Sequence, residues 1–430
     1  MSTQVPENSS RRDFLQATAA GAIVLSAPSF ARAQGGASAK EIRIGVIGCG
    51  GRGTGAAVDA LTASDATRIV ALGDAFSDRL DSCAAELAKK GPRGTVAAEK
   101  RFTGLDAYQK VIASDVDLVI LASAPGFRPL HIAAAVAAGK HVFAEKPVAV
   151  DPAGVRTVMQ AAESIDKQGL SFVCGTQRRH ESCYLEAMRR VHDGAIGEIV
   201  SARCYWTQGS LWVKEKQPDW SDAEWQIRNW LYFTWLSGDH IVEQHVHNLD
   251  VVNWAIGSHP LRAVGMGGRQ VRTEAKYGNI FDHFAIDYEY PGGVRVLSMC
   301  RQIDGCHSAV EEIVQGTHGT LYTSSGSARI EPRAGAKGEA WEYTGENKNP
   351  YVVEHEHLIS AIQSGRRINE ARRIAESTLV AIMGRMSTYT GKEVSWEQAL
   401  DSKLDLMPRN LAFGPLAVPE IAVPGRTPLV

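Results

Sequence analysis

The chain has 430 residues, a formal net charge of −2 and 44% hydrophobic residues. That length predicts two or three domains, each able to bury its own core. The nearly neutral charge argues against a nucleic-acid binder that depends on a basic face, and the seven cysteines are too few for a disulfide scaffold.

The first 33 residues have the features of an export signal. Arg11 and Arg12 precede an uncharged apolar run over 17–29, and Ala31-Arg32-Ala33 supplies small residues for cleavage. The run is too short to cross a bilayer. Its order resembles a twin-arginine signal, which exports folded proteins; the alternative is a disordered basic tail. We therefore expect export by the twin-arginine machinery, a periplasmic or secreted protein, and no membrane span in the mature chain.

Strands and helices alternate through residues 34–175. Short apolar runs predict buried strands, and the segments between them predict helices. The predicted strands are 42–47, 68–72, 117–122, 141–144 and 170–174, and the predicted helices begin near 54 and span 78–90, 128–139 and 152–168. Such alternation predicts an α/β domain with a doubly wound parallel sheet.

Residues 176–406 show a different pattern. Strand-like runs at 199–206, 261–272, 283–290, 293–302 and 313–323 are followed by helical segments at 351–364 and 370–389. They predict an α+β domain with a large, mostly antiparallel open sheet. A second copy is expected to cover the free face of that sheet in a homo-oligomer, a dimer or tetramer. The proline-rich residues 407–430 predict an extended C-terminal arm.

A glycine-rich turn, Gly48-Cys49-Gly50-Gly51-Arg52-Gly53, follows the first predicted strand and opens a helix, the context of a dinucleotide-binding turn. Glycines permit the turn and a close approach of pyrophosphate, and the helix N-terminus attracts phosphate. Asp74 ends the second strand, where a carboxylate accepts ribose hydroxyls and repels a 2′-phosphate. The pattern predicts a Rossmann domain that binds NAD, with NADP possible through Arg79; the alternative is a purely structural turn.

Glu145-Lys146-Pro147 directly follows the predicted strand 141–144. In open α/β sheets, ligands bind in the crevice at the carboxyl ends of the strands. Lys146 is therefore expected near a nicotinamide ring.

Together these motifs resemble the glucose–fructose oxidoreductase, inositol dehydrogenase and rhizopine-catabolism (Gfo/Idh/MocA) family over about residues 41–395. The resemblance rests on the glycine turn, Asp74, Ala124-Pro125 with His131, residues 139–142, Glu145-Lys146-Pro147, and residues 194–199, 247–250 and 316–319. It is specific for the family and not for a substrate. It implies that Ala122, Pro125, His131 and Glu145 also contact the cofactor and that Lys146 positions substrate and assists proton transfer.

The family also has Asp-x-x-x-His-x-x-Asp on a helix, and alignment on His247 and Asp250 places Glu243 where the family usually has Asp. Glu243 and His247 would share one helix face. The resemblance implies that His247 is the general base for a sugar hydroxyl and that Glu243 orients it. His240, Glu243 and His247 could instead share a metal ion; family members generally need none, so we predict none.

Six of the nine tryptophans fall within residues 206–235. Their rings could stack on the C–H faces of a sugar; alternatively, this insertion packs a small core or an oligomer contact. We expect Trp230, Trp235 and His240 to contact substrate. Arg178 and Tyr184 resemble the family's substrate-loop position and are expected to do the same.

These observations predict an NAD(P)-dependent oxidoreductase that acts on a secondary hydroxyl of a sugar, glycoside or cyclitol. Because the periplasm is not expected to supply free NAD, the cofactor would be loaded in the cytosol and retained. One alternative is an NAD-dependent, redox-neutral glycosidase, which oxidises a sugar transiently, eliminates the aglycone and reduces the ring again. Another is a non-catalytic sugar-binding protein.

Overall fold

The computed structural model describes residues 40–430. The predicted export signal over 1–33 lies outside the described residues. Within 40–430, no helix is both long enough and apolar enough to cross a membrane.

Six parallel strands form the first sheet, in the order β3-β2-β1-β4-β5-β6. They are β1 (Ile42–Ile47), β2 (Thr67–Asp74), β3 (Arg101–Thr103), β4 (Leu118–Leu121), β5 (His141–Ala144) and β6 (Phe172–Cys174). The predicted doubly wound sheet is confirmed. Every residue of β4 is buried, which explains why the central strands are continuous apolar runs. The short β3 lacks such a run, and the sequence analysis missed it.

Five helices connect these strands and return the chain to the same edge of the sheet each time. They are α1 (Gly51–Ala63), α2 (Ser77–Ala88), α3 (Ala107–Ala113), α4 (Arg128–Ala137) and α5 (Pro152–Gln168). The carboxyl ends of all six strands therefore meet at one edge, where a ligand crevice is expected.

Nine strands form the second sheet, in the order β14-β13-β12-β11-β7-β10-β9-β8-β15. They are β7 (Ile199–Gln208), β8 (Arg262–Gly268), β9 (His283–Glu289), β10 (Arg295–Gln302), β11 (Ala309–Gly316), β12 (Gly319–Ser324), β13 (Ser327–Pro332), β14 (Trp341–Glu342) and β15 (Val394–Ser395). Only β7 and β10 pair in parallel, so the sheet is mostly antiparallel, as predicted.

The strand-like stretch 313–323 belongs to two strands, β11 and β12, which are separated by Thr317 and His318. The N–H groups of Thr317 and His318 donate to the carbonyl oxygens of Glu198 and Ile196, at 2.9 and 2.8 Å. These bonds hold Thr317 and His318 outside the β-ladder, so the chain reverses its direction between β11 and β12 as a hairpin.

The helices of the second half pack on both domains. They are α6 (Ser182–His192), α7 (Asp222–Arg228), α8 (Thr234–Ser237), α9 (His240–Glu243), α10 (Val246–Ile256), α11 (Pro350–Ser364), α12 (Ala371–Thr390) and α13 (Trp396–Asp401). Helices α10 and α12 cover one face of the second sheet. Helix α11 packs instead on α1, where Leu358 and Ile359 join the same core as Ile44 and Phe143. The chain thus returns to the first domain after the second sheet.

A third hydrophobic cluster joins three segments that are distant in sequence. Phe76, just after β2, packs with Trp225 and Trp235 of the tryptophan-rich segment, and Leu411 and Leu416 of the C-terminal arm pack against this cluster. Residues 402–430 contain neither helix nor strand. The arm is extended, and its apolar side chains hold it against the body of the protein.

Candidate active site

A cavity of about 1150 Å³ opens at the carboxyl ends of β1, β2, β4 and β5. One wall is the glycine turn with Asp74 and Lys146. The opposite wall comes from the tryptophan-rich segment and from Glu243 and His247. Its volume exceeds the usual range of ligand pockets, roughly 300–1,000 Å³, as expected where a dinucleotide binds together with a substrate.

The glycine turn fits a dinucleotide. Gly48 has a φ of +91°, and a Cβ there would lie 2.3 Å from the Ser123 nitrogen. A Cβ on Gly53 would lie 1.8 Å from the Gly48 carbonyl oxygen, whereas Gly51 faces open space. Among the described residues, no side chain caps α1, and its first turn has no acidic residue. The first N–H groups of this helix are therefore available to phosphate oxygens.

Asp74 is fixed at the end of β2 and lines the cavity. Its two carboxylate oxygens accept hydrogen bonds from the backbone N–H groups of Cys49 (2.6 Å) and Phe76 (3.0 Å). Burial raises its pKa, against the effect of these two bonds. Each oxygen keeps a further acceptor position, so Asp74 can still accept hydrogen bonds from ribose hydroxyls.

Arg52 connects the glycine turn to two distant carboxylates. Its guanidinium donates to Glu145 and, at 3.2 Å, to Glu354 of α11, and it lies 4.7 Å from the centre of the Tyr351 ring. Burial alone would lower the pKa of Arg52, but the charges of Glu145 and Glu354 outweigh it and raise that pKa. Arg52 therefore fixes Glu145, the residue before Lys146. The motif that predicts a cofactor contact for Arg52 carries no signal for its partner Glu354.

Lys146 and Glu243 form the central ion pair of the site. The Lys146 ammonium donates to the Glu243 side chain at 3.1 Å and to its backbone carbonyl at 2.7 Å. Both side chains are mostly buried, 13% exposed, and both residues line the cavity. The lysine is thereby held in one position at the end of β5.

His247 lines the cavity close to this pair, but it does not share a helix with Glu243. Helix α9 ends at Glu243 and α10 begins at Val246, with Gln244 and His245 between them. Among the described residues, His247 Nδ1 has no hydrogen-bond partner. The predicted shared helix face is therefore wrong, and Glu243 holds Lys146 instead of orienting His247.

The environment of His247 keeps its imidazole neutral. Its ring stacks on Trp206 with 5.7 Å between centroids. Burial lowers its pKa well below the usual 6.5, and the cations of Lys146 and Arg178 lower it further. A neutral imidazole is the form that accepts a proton.

Arg178 and Tyr184 lie behind the cavity wall. Both bind the buried carboxylate of Glu312, at 2.7 and 3.0 Å, and Asn248 binds it at 2.7 Å. Arg178 also lies over the Trp206 ring, 5.4 Å from its centre. These residues support the Trp206–His247 stack and do not line the cavity. The sequence analysis missed Glu312, which is 134 residues from Arg178.

The remaining predicted site residues divide between the cavity and the core. Ala122, His131 and Glu145 line the cavity with the glycine turn from Gly48 to Arg52; Pro125 and Gly53 do not. His240 is buried away from it and binds Asp239 at 3.0 Å. No cluster of three or more potential metal-ligating side chains occurs in residues 40–430.

The six tryptophans have different roles. Trp212, Trp220 and Trp230 line the cavity. Trp225 and Trp235 are buried, and the Trp235 indole donates to Gln226 at 2.8 Å. Because Trp235 is buried and does not line the cavity, the structure does not support the predicted contact between Trp235 and the substrate. Trp206 belongs to β7 and stacks on His247.

Two family models match this chain. One, described as oxidoreductase family, NAD-binding Rossmann fold, matches residues 42–172, and the GFO/IDH/MocA C-terminal domain model matches residues 184–322. Together they cover well over half of the chain.

Several curated proteins are similar in sequence. The 2,7-anhydro-N-acetylneuraminate hydratase of Escherichia coli (strain K12) is 25% identical over 55% of this chain and 60% of its own length. Inositol 2-dehydrogenase 3 of Saccharopolyspora erythraea is 26% identical over 59% of this chain and 65% of its length. The scyllo-inositol 2-dehydrogenase (NAD(+)) of Bacillus subtilis is 22% identical over 76% of this chain and 87% of its own length. The chain spans less than two thirds of the length of the first two of these relatives.

Solved structures share the fold. Levoglucosan dehydrogenase in complex with NADH and levoglucosan has a TM-score of 0.67 at 14% identity, covering 83% of this chain and 99% of that one. The scyllo-inositol dehydrogenase from Lactobacillus casei has a TM-score of 0.63 at 20% identity, and the match covers 84% of this chain and 99% of that one. Since both family models match in order and the fold agrees, the chain belongs to the GFO/IDH/MocA oxidoreductase family and carries its NAD-binding Rossmann domain.

Proposed function

We propose that this chain is an NAD-dependent oxidoreductase that interconverts a secondary hydroxyl and a ketone on a sugar, glycoside or cyclitol. The observation that carries the proposal is that Lys146 and His247 line the same cavity as the glycine turn. The inositol dehydrogenases among its relatives support this substrate class.

Each residue then has a distinct task. NAD, when bound by the glycine turn and Asp74, supplies the hydride acceptor. Neutral His247 takes the hydroxyl proton as general base. Lys146, held by Glu243, donates a hydrogen bond to the same oxygen and stabilises the negative charge that develops on it.

A panel of free sugars, glycosides and cyclitols tests this proposal. Each compound is incubated with protein and NAD, NADH is followed by absorbance, and products are identified by mass spectrometry. We expect a ketone product, lighter than its substrate by two hydrogens, formed at a rate lower by roughly 10² or more with the Lys146→Met variant. The absence of turnover across the panel in either direction, with NAD and with NADP, would favour the non-catalytic sugar-binding protein.

A redox-neutral reaction is the second candidate function. It is supported by the relative named as a hydratase of an anhydro sugar, whose name describes no net oxidation. In this case a glycoside would release its aglycone without added cofactor and without accumulation of NADH. Parallel assays of aglycone release and NADH formation separate the two candidates.

We further propose export through the twin-arginine pathway with NAD already bound. The support is the Arg11-Arg12 pair followed by an apolar run, and the physical reason is that a folded protein can carry its cofactor out of the cytosol. Denaturing the exported protein and quantifying the released nucleotide by chromatography tests this. A cytoplasmic location, or substoichiometric nucleotide with activity that depends on added NAD, would contradict it.

A further inference from the structure

Six residues of the tryptophan-rich segment line the cavity, and we call them the rim. They are Trp212, Lys214, Trp220, Ile227, Arg228 and Trp230. Aromatic side chains near Lys146 would contact the substrate, whereas aromatic side chains near Asp74 would contact the cofactor. The contacts of the rim with the rest of the protein show which of these positions it occupies.

The rim lies against the residues that follow Asp74, from Phe76 to the first turn of α2. Arg228 forms a two-point ion pair with Asp78, at 2.9 and 3.1 Å. Its guanidinium also lies 3.8 Å from the centre of the Phe76 ring and 4.9 Å from that of Trp220. Phe76 and Asp78 follow Asp74, the acceptor for the adenosine ribose. The rim therefore closes the adenosine end of the cleft.

The C-terminal arm fastens the rim from behind. The Gly414 carbonyl accepts a hydrogen bond from the Ala223 N–H at 3.1 Å, and the Leu416 carbonyl accepts one from the Gln226 side chain at 2.7 Å. The Phe413 ring lies 5.7 Å from the Phe76 ring. The arm thus binds α7, which carries Arg228, and the loop that Arg228 holds.

We propose that the rim and the C-terminal arm form a clasp over the adenosine half of the dinucleotide, with Trp220 and Trp230 as its aromatic wall and the Arg228–Asp78 pair as its latch. This inference rests on the proposed NAD binding and extends it. Adenine presents a flat π-face, which indole rings and guanidinium groups stack against. The dinucleotide leaves only after the latch opens, so the clasp slows its release.

We expect the latch to keep the clasp closed over the dinucleotide and to contribute little to the free energy of unfolding of the whole protein. The Asp78 side chain is 62% exposed, whereas that of Arg228 is 15% exposed, and an ion pair with an exposed partner adds little to the free energy of unfolding. Asp78→Asn leaves Arg228 paired with Glu224 at 2.9 Å, so this variant should keep the fold intact while the rim moves freely. Phe413 is 45% exposed, and its truncation should likewise be tolerated.

Stopped-flow measurement of NADH release from the full chain tests the clasp. Protein loaded with NADH is mixed with excess NAD, and the loss of NADH fluorescence gives the dissociation rate. We expect Arg228→Met and Asp78→Asn each to speed release by about tenfold, because affinity changes in one site act mostly on dissociation. The double variant should add little, because both changes open the same latch. Phe413→Ala should speed release severalfold.

Arg189→Met is the matched control, because it removes an exposed arginine paired with Asp193 at 2.6 Å on α6, away from the cavity. Thermal unfolding of each variant checks the fold. Release within about twofold of wild type in every clasp variant would overturn the inference. An unchanged release rate with a raised KM for sugar would assign the rim to the substrate instead. Because no sugar enters the release assay, the clasp can be confirmed even if no sugar is oxidised.

Discussion

The ammonium of Lys146 is held by Glu243 through both its carboxylate and its backbone carbonyl. We expect Lys146→Met to lower kcat by roughly 10² or more, the scale of acid–base groups. Glu243→Gln keeps the geometry and loses the charge, so its effect on kcat should be smaller. NADH affinity should change little in either variant.

Lys110→Met provides the control for this prediction, because Lys110 is an exposed lysine paired with Asp106 outside the cavity. Its kcat should equal that of wild type. Near-normal turnover by the Lys146→Met variant would show that catalysis does not require Lys146.

The lowered pKa of His247 predicts a flat pH profile near neutrality. Burial is the main cause and the Lys146 cation the next. Since the neutral base persists below pH 6.5, kcat/KM for oxidation should stay constant as the pH falls through the usual histidine range, about 6.5. Lys146→Met removes one cation, so the residual activity of that variant should fall at a higher pH than in wild type. A wild-type midpoint near pH 6.5 would contradict this.

The position of Asp74 predicts a preference for NAD over NADP. Its fixed carboxylate lines the cavity and would repel a 2′-phosphate. We expect Asp74→Ala to weaken NADH binding and to reduce the ratio of NADPH to NADH dissociation constants, measured by fluorescence titration. Asp65→Ala, which removes a fully exposed acidic residue outside the cavity lining, should keep the wild-type ratio. Tighter binding of NADPH than NADH by the wild type would refute this role of Asp74.

The placement of a residue could be predicted where a short motif lies at the end of a strand. The glycine turn, Asp74 and Lys146 lie at the carboxyl ends of β1, β2 and β5 and line the cavity; the roles assigned to them stay predictions. The partners of Arg52 could not be predicted, because Glu354 is 302 residues away. A buried charge requires a partner, but spacing along the chain does not identify it.

At the scale of elements, the apolar runs were enough to predict every strand of the first sheet except the short β3. The helix expected through Glu243 and His247 failed for a tertiary reason. Between α9 and α10, His245 turns inward and its Nε2 lies 2.7 Å from the Ser298 hydroxyl of β10. This contact with the second sheet interrupts a segment whose spacing alone favours a continuous helix.

Helix α11 contains a histidine that should weaken the protein in acid. His355 is fully buried 4.1 Å from the Phe143 ring, neither ring nitrogen has a partner within residues 40–430, and burial lowers its pKa to about 3. The unfolded chain binds a proton near pH 6.5 and the folded chain does not. Stability is therefore full above pH 6.5 and is lost as the pH falls towards 3, by up to about 1.4 kcal/mol per pH unit.

We expect His355→Leu to flatten this acid dependence. Its urea midpoint should fall less than that of wild type between about pH 7 and pH 5. The exposed His307→Leu serves as the control for removing a histidine and should follow the wild type. Parallel curves for His355→Leu and wild type would show that His355 does not contribute.

Across the whole molecule, the site depends on regions far apart in the chain. The first sheet supplies the glycine turn, α11 supplies the Glu354 that holds Arg52, and the second half supplies Glu243, His247 and the rim. Composition and periodicity predicted the two sheets separately. They could not predict that α11 and the C-terminal arm return to the first domain, because such returns depend on packing between distant surfaces.

The outer face of the second sheet carries an apolar row that nothing within residues 40–430 covers. Met266 of β8, Ala285 of β9, Met299 of β10 and Tyr205 of β7 are direct neighbours across four strands. Val264 and Leu297 lie on the same face two residues along their strands, on either side of Asp287, and Met266 is 76% exposed. Single exposed apolar residues are normal, but a contiguous row marks an interaction surface.

We expect this face to pair with a second copy of the chain. A sheet face buries apolar area well against another sheet, and a two-fold arrangement lets one patch cover itself. Light scattering after size-exclusion chromatography at micromolar concentration should give a dimer or tetramer for wild type. Met266→Glu combined with Leu297→Glu should give monomers, because four carboxylates would face each other at each two-fold contact. Leu130→Glu introduces the same charge at an exposed leucine of α4 and should leave the assembly intact. A monomeric wild type, or a double variant that assembles normally, would contradict the predicted interface.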